Sequence, residues 1–173
     1  MACTLSTGRT LPCKDSVGGL TAVYFADFGT LGTLTVTSGE VTAISGTPDL
    51  FKYDIKGNSS LEQTITASRE NGTSFYEQTL NLTLTKLDVA TQQELIAIVK
   101  ARPHVFVQDY NGNYFLVGAV HGADVTGGTI VTGAAMGDLS GFTLTLSAME
   151  TLPAYFVDAA IVIADTSATV INP

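Results

Sequence analysis

Two runs of strict alternation joined by an Asn-Gly dipeptide constrain this chain more than anything else in it. From Leu61 to Ala67, Leu61, Gln63, Ile65 and Ala67 fall on one side, and Glu62, Thr64 and Thr66 on the other. Beyond Asn71-Gly72, the side Tyr76, Gln78, Leu80, Leu82 and Leu84 opposes Phe75, Glu77, Thr79, Asn81, Thr83 and Thr85. A period of two sends successive side chains to opposite faces of a strand, so the return arm predicts a long strand with one buried face. Asn-Gly is a strong hairpin signal because both residues of a type I′ turn need φ > 0. The chain therefore has to build a sheet around one long hairpin, with Arg69, Glu70, Asn71, Gly72 and Thr73 at its tip.

The same alternation marks further strands. Leu20–Phe28 reads as a strand, Leu34–Thr37 and Val41–Ile44 as brief β-branched runs between glycines. In Leu50–Ile55, Phe51, Tyr53 and Ile55 face one way and Lys52 and Asp54 the other. His104–Gln108 and Tyr114–Val120 flank a second hairpin turn, Asp109-Tyr110-Asn111-Gly112-Asn113. Gly122–Gly137 is glycine-rich around Thr129–Thr132, and Phe142, Leu144, Leu146 and Ala148 alternate with Thr143, Thr145, Ser147 and Met149 up to Pro153. Ile161–Ile163 and Thr169–Ile171 form an apolar tail. One helix interrupts the strands. Asp88 is its expected N-cap, Lys100 and Arg102 suit its negative C-terminal end, and Pro103 stops it. Leu95, Ile98 and Val99 give it an apolar stripe, which Ile96 and Val89 widen. The expected fold class is mainly β: a β-sandwich or barrel with one flanking α-helix and a long β-hairpin. The expected organisation is an N-terminal arm over 1–19, one β-domain over 20–157, and a C-terminal arm over 158–173. No internal repeat or dividing linker appears.

Composition narrows the function classes. Of 173 residues only 14% are charged, well below the ~25% of ordinary soluble domains, while 45% are hydrophobic. Such a chain is expected to fold and to have much of its surface covered, most simply by partner subunits. No apolar run approaches the ~20 residues of a spanning helix, so no membrane anchor is expected. The formal net charge of −8 repels nucleic-acid phosphate, and the eight Lys and Arg residues are scattered rather than clustered. Cys3 and Cys13 are expected to be free thiols of a cytoplasmic protein, with a disulfide closing a short loop as the alternative, and Met1–Arg9 has no apolar signal core. The Asn-X-Ser/Thr matches at Asn58, Asn71 and Asn81 then carry little weight.

The residues that could carry chemistry form no recognisable site. His104 and His121 are too far apart for a His-pair metal signature and read as structural. There is no Gly-x-Ser-x-Gly elbow, and Gly118, Gly122, Gly127 and Gly128 lack the spacing of a phosphate loop. Asp27, Asp54, Glu62, Glu77, Asp109, Asp124 and Asp138 are spread along the chain and read as solvated charges on outer strand faces. Asp109–Asn113 looks superficially like a calcium loop but lacks the distal Glu, so a hairpin turn is favoured. No enzymatic activity, cofactor or metal is expected.

The order of elements carries a resemblance. A long hairpin (Leu61–Leu87), a helix (Asp88–Arg102), a short hairpin (His104–Val120) and a closing strand (Gly141–Glu150) follow one another. With the phrases from Tyr110 to Gly118 and from Gly137 to Thr145, this order resembles the tail tube proteins of long-tailed bacteriophages and their relatives in contractile injection systems. The likeness spans Leu20–Val157. It implies a virion protein assembled in the host cytoplasm as a homo-oligomeric ring, commonly a hexamer, whose sheets join into one barrel. Rings stack with one another and with other tail proteins, and DNA passes through the lumen without specific binding. It also implies that hairpins and arms make ring-to-ring contacts, which marks Arg69, Glu70, Asn71, Gly72 and Thr73 as candidates. Another virion component, such as a capsid decoration protein or a tail terminator, is the alternative.

Overall fold

A computed structural model describes residues 7–55, 57–163 and 169–171. The fold is mainly β, built as two sheets with helical segments at their margins. Its strands are β1 (Leu20–Ala26), β2 (Leu34–Thr37), β3 (Glu40–Ile44), β4 (Asp49–Asp54), β5 (Ser60–Ser68) and β6 (Thr73–Thr85). After helix α1 (Val89–Lys100) come β7 (His104–Asp109), β8 (Tyr114–Val117), β9 (Asp124–Val131), β10 (Gly141–Glu150) and β11 (Tyr155–Val157). A short helix, α2 (Ala159–Ile163), and β12 (Thr169–Ile171) complete the order.

The smaller sheet runs β5-β6-β10-β9 and is antiparallel throughout. Its spine is the unbroken pairing of β6 with β10, from Gly141 opposite Thr85 to Glu150 opposite Tyr76. The alternation read from the sequence holds here: Gln78, Leu80, Leu82 and Leu84 are buried, as are Phe142, Leu144, Leu146 and Ala148. β9 is held less regularly. A register shift leaves Thr126 as an extra residue between Gly127, opposite Thr145, and Val125, opposite Leu146.

The larger sheet runs β12-β4-β1-β7-β8-β11-β3-β2, with parallel pairs at β11–β3 and β12–β4. Its centre is buried on both sides. Val23, Phe25, Val105 and Val107 join Leu80, Leu82, Phe142 and Leu146 of the smaller sheet in one core. Ala22, Tyr24 and Phe106, of opposite parity, join Val41, Ile44 and Leu50 in a second. Residues from strands near both ends of the sheet meet its middle in that second cluster, so the sheet curls around it. The C-terminal segment, expected as an arm from residue 158, contributes Ile161 and Val162 of α2 to this core, and β12 lies on β4. Fully burying such side chains stabilises the fold by about 1.5–3 kcal/mol each.

α1 begins as expected. Asp88 is in extended conformation, and its Oδ2 accepts from Thr91 N at 3.3 Å and Thr91 Oγ1 at 3.4 Å. The apolar stripe is narrower than its residues suggest. Leu95 and Ile98 are buried, but Val99 is 53% exposed, Ile96 50% and Val89 71%. The helix lies along the margin of the smaller sheet, so one turn-spaced pair reaches the core while the neighbouring face looks past β9.

The hairpin tip also differs from expectation. Ser68 pairs with Thr73, leaving a four-residue loop, Arg69–Gly72, in which Gly72 alone has positive φ, at 61°. A longer loop needs only one left-handed residue where a two-residue type I′ turn needs two.

Candidate assembly surface

The face of the smaller sheet that turns away from the core is made by its second parity. Thr79, Asn81 and Thr83 of β6 stand opposite Ser147, Thr145 and Thr143 of β10, flanked by Ser60 and Glu62 of β5 and by Thr129 and Asp124 of β9. Short hydroxyl and amide side chains bond across it. Thr145 Oγ1 donates to Asn81 Oδ1 at 3.0 Å, and the Thr129 and Thr143 hydroxyls lie 2.6 Å apart. The register puts three carboxylates on this face: Glu62, Glu77 and Asp124. None of the four strands contains Lys or Arg. The face is therefore polar, acidic and without a compensating cation from its own strands.

The edges of this sheet are open. β5 and β9 each have a partner on one side among the described residues. An unpaired edge presents free N–H and C=O groups to another chain. With strict antiparallel order and four strands, β9 runs opposite to β5. A second copy in the same orientation could lay its β5 beside β9 and continue the antiparallel ladder. Next to that edge lies an apolar groove of about 450 Å³ between α1 and the sheet, lined by Ile96, Val99, Val125, Ile130, Phe142 and Leu144.

The sequence-predicted residues Arg69, Glu70, Asn71, Gly72 and Thr73 sit together at the end of the β5–β6 hairpin. β10 pairing stops at Tyr76, so the pairs Thr66–Phe75, Ala67–Ser74 and Ser68–Thr73 project past it. All five are exposed, and neither Arg69 nor Glu70 makes an ion pair among the described residues.

Several of the other chemistry-bearing residues make contacts within the fold. Gly118–Gly122, after β8, is the hub. Gly118 N donates to Gln78 Oε1 at 3.0 Å, and Gly118 O lies 2.6 Å from His104 Nδ1. Gly118 has φ 66°, and a Cβ there would run into the Gly122 backbone, so only glycine fits. A carbonyl can only accept, so Nδ1 of His104 carries the proton and Nε2 accepts from Gly29 N at 3.1 Å. The ring stacks on Phe28, centroids 5.0 Å apart, with the Arg102 guanidinium 4.2 Å from the Phe28 centroid. Burial lowers the His104 pKa below the ordinary histidine value.

Glu150 was not among the carboxylates singled out from the sequence. It is buried, its Oε1 accepting from Val120 N at 2.9 Å and His121 N at 2.8 Å, while Oε2 lies 2.9 Å from His121 Nδ1. Parity is the signal that places it, since it follows Leu146 and Ala148 on the inward side of β10. Asp109 closes the second hairpin turn, accepting from the backbone N–H and the side-chain amide of both Asn111 and Asn113. Burial pulls its carboxyl up, but these bonds outweigh it and hold the pKa below the ordinary value.

Among the described residues no group of three or more His, Cys, Asp and Glu side chains is placed to hold a metal ion. Cys13 is exposed, and Cys3 lies outside the described residues. A groove of about 600 Å³ lies between β4 and the start of α1, where the Asp88 carboxylate is already committed to capping. No protein-family model matches the chain, and no curated protein matches it significantly.

Proposed function

We propose that this chain is a self-assembling structural subunit of a bacteriophage tail tube. Copies join through the edges of the smaller sheet into rings, rings stack, and DNA passes through the lumen. The observation that carries this reading is the smaller sheet itself. It buries one face in its own core, keeps outside an acidic face whose strands carry no Lys or Arg, and leaves both edges open among the described residues. Head-to-tail repetition of such a unit by rotation closes a ring, leaves no edge of this sheet unpaired, and gathers every acidic face onto one surface. If the curl brings that face inside, Glu62, Glu77 and Asp124 of each copy line the lumen and repel DNA phosphate, which favours passage over adhesion. A hexameric ring comes from the family resemblance.

Electron microscopy of the purified protein across concentrations, alone and with tail-tip nuclei, tests the proposal. Rings or tubes are the expected outcome. Ile65, on the β5 edge, is 67% exposed, and Ile65→Lys should abolish ring closure while the monomer keeps its melting behaviour, because an edge lysine opposes strand addition. A protein that stays monomeric at high concentration with every nucleus would overturn the tube reading. Ordered binding to a capsid lattice instead would identify a decoration protein.

A further inference from the structure

Two Asn-Gly dipeptides occur in the chain, Asn71-Gly72 and Asn111-Gly112, and the other asparagines precede Ser, Leu, Tyr or Pro. The fold treats the two pairs in opposite ways. We propose that Asn71 is a site of spontaneous deamidation in the folded protein and that Asn111 is protected from the same reaction. The proposal concerns the unassembled subunit, in which the hairpin tip is exposed, and does not rest on the assembly reading.

The reaction needs a free carboxamide, an available amide nitrogen on the next residue, and little steric obstruction. The Gly72 nitrogen attacks Cγ of Asn71 and forms a new C–N bond. The carboxamide nitrogen leaves as ammonia, taking up the Gly72 N–H proton, and a cyclic imide remains. Water then opens the imide at either carbonyl, giving aspartate or isoaspartate. No oxidant or reductant is involved, and water is the one co-reactant.

At the β5–β6 tip every requirement is met. Asn71 is exposed, and its carboxamide has no hydrogen-bond partner among the described residues; its backbone N–H donates to Ser68 Oγ at 3.3 Å. The Gly72 N–H is likewise without a partner among them, and the space around the Gly72 Cα is open. The loop lies beyond the last β10 pair, where local opening is cheapest.

At the β7–β8 turn the same dipeptide is fastened at every reacting group. Asn111 Oδ1 accepts from Val17 N at 2.9 Å, and its Nδ2 donates to Val17 O at 2.7 Å and Asp109 Oδ2 at 3.3 Å. The nucleophile is engaged too, since Gly112 N donates to Asp109 O at 3.3 Å. The side chain thus pairs with the Val17 backbone as a neighbouring strand would, and rotating it toward Gly112 requires these bonds to break together.

The test is peptide mapping by mass spectrometry of the full chain, folded and in urea, during incubation at mildly alkaline pH. In the folded protein Asn71 should convert faster than Asn111 by roughly tenfold or more, because several hydrogen bonds must open before Asn111 can react. In urea the two rates should converge, since both are followed by glycine. Asp109→Ala should accelerate Asn111 in the folded protein and leave Asn71 unchanged. Equal rates in the folded chain, or faster loss at Asn111, would overturn the proposal. So would an Asn111 rate unmoved by Asp109→Ala, because the Asp109 carboxylate holds the Asn111 amide and the backbone N–H of Asn111 and Asn113, and the fastened turn would then not be what protects the dipeptide.

Discussion

His121 and Glu150 are joined twice: Nδ1 of the imidazole lies 2.9 Å from one carboxylate oxygen, and the backbone N–H of the same histidine donates to the other at 2.8 Å. The two contacts differ in energy because their surroundings differ. The His121 side chain is largely in water, where an ion pair contributes about 0–1 kcal/mol. The backbone donors of Val120 and His121 have Glu150 as their acceptor in a part-buried setting. Glu150→Ala should therefore cost about 2–4 kcal/mol, the penalty of leaving two such donors unsatisfied. His121→Ala should cost no more than about 1 kcal/mol. Denaturant unfolding of both variants checks the order; equal losses would show that the ring contact matters as much as the backbone pair.

His104 gives stability a pH dependence of known sign. Its folded pKa is lowered by burial, so the unfolded chain takes up a proton first as pH falls. Above about 6.5 the group is neutral in both states and contributes no slope. Below about 6.5 stability should decline, by at most about 1.4 kcal/mol per pH unit from this one group. The decline ends once pH passes the lowered folded value. Protonation there also removes the acceptor for Gly29 N–H. Chemical denaturation between neutral and mildly acidic pH measures the slope, and His104→Gln should lack it even if it is less stable overall.

The cap on α1 offers a local test. Asp88→Ala removes the acceptor for Thr91 N and should lower stability by about 1 kcal/mol. Assembled morphology should not change, since the cap serves its own helix. A thermal melt unaffected by the substitution would show that the Thr91 bond contributes nothing net.

Shortening the loop across Arg69–Ser74 separates folding from stacking. The residues are exposed and lie beyond the β10 pairing, so circular dichroism and melting of the subunit should stay close to the parent. If the tip docks onto the next ring, rings should still close but fail to stack. Each rim pair from Arg69 or Glu70 is worth only ~0–1 kcal/mol, yet repetition around a ring multiplies it. Tubes of normal length in electron micrographs would remove the docking role.

What could be read from the chain is what a few neighbouring residues decide. β6 shows because five consecutive alternations leave no helical solution, and α1 shows because Asp88 and Pro103 bracket it. What could not be read depends on distant partners. Val99 has the same spacing credentials as Ile98, and only the position of α1 beside β9 exposes it. Phe51 and Tyr53 share a face of β4, but nothing local says that β12 will lie along that strand in parallel. Glu150 was legible in part: parity puts it on the inward side of β10, but nothing local says that the Gly118–Gly122 loop folds back to supply its donors.

The even strand count of the smaller sheet gives any edge-joined array a direction. Every copy must point the same way for β9 to meet β5 in antiparallel order. The two hairpin loops of that sheet lie at opposite ends, because Tyr76, near the β5–β6 tip, pairs with the last residue of β10 while Thr85 pairs with the first. One rim would carry the charged Arg69-Glu70 tip, and the other the β9–β10 loop, where Met136 is fully exposed and Asp138 accepts from Ala134 N and Ala135 N. Such a ring has unlike ends, so its growth can be started at one and stopped at the other by different partners.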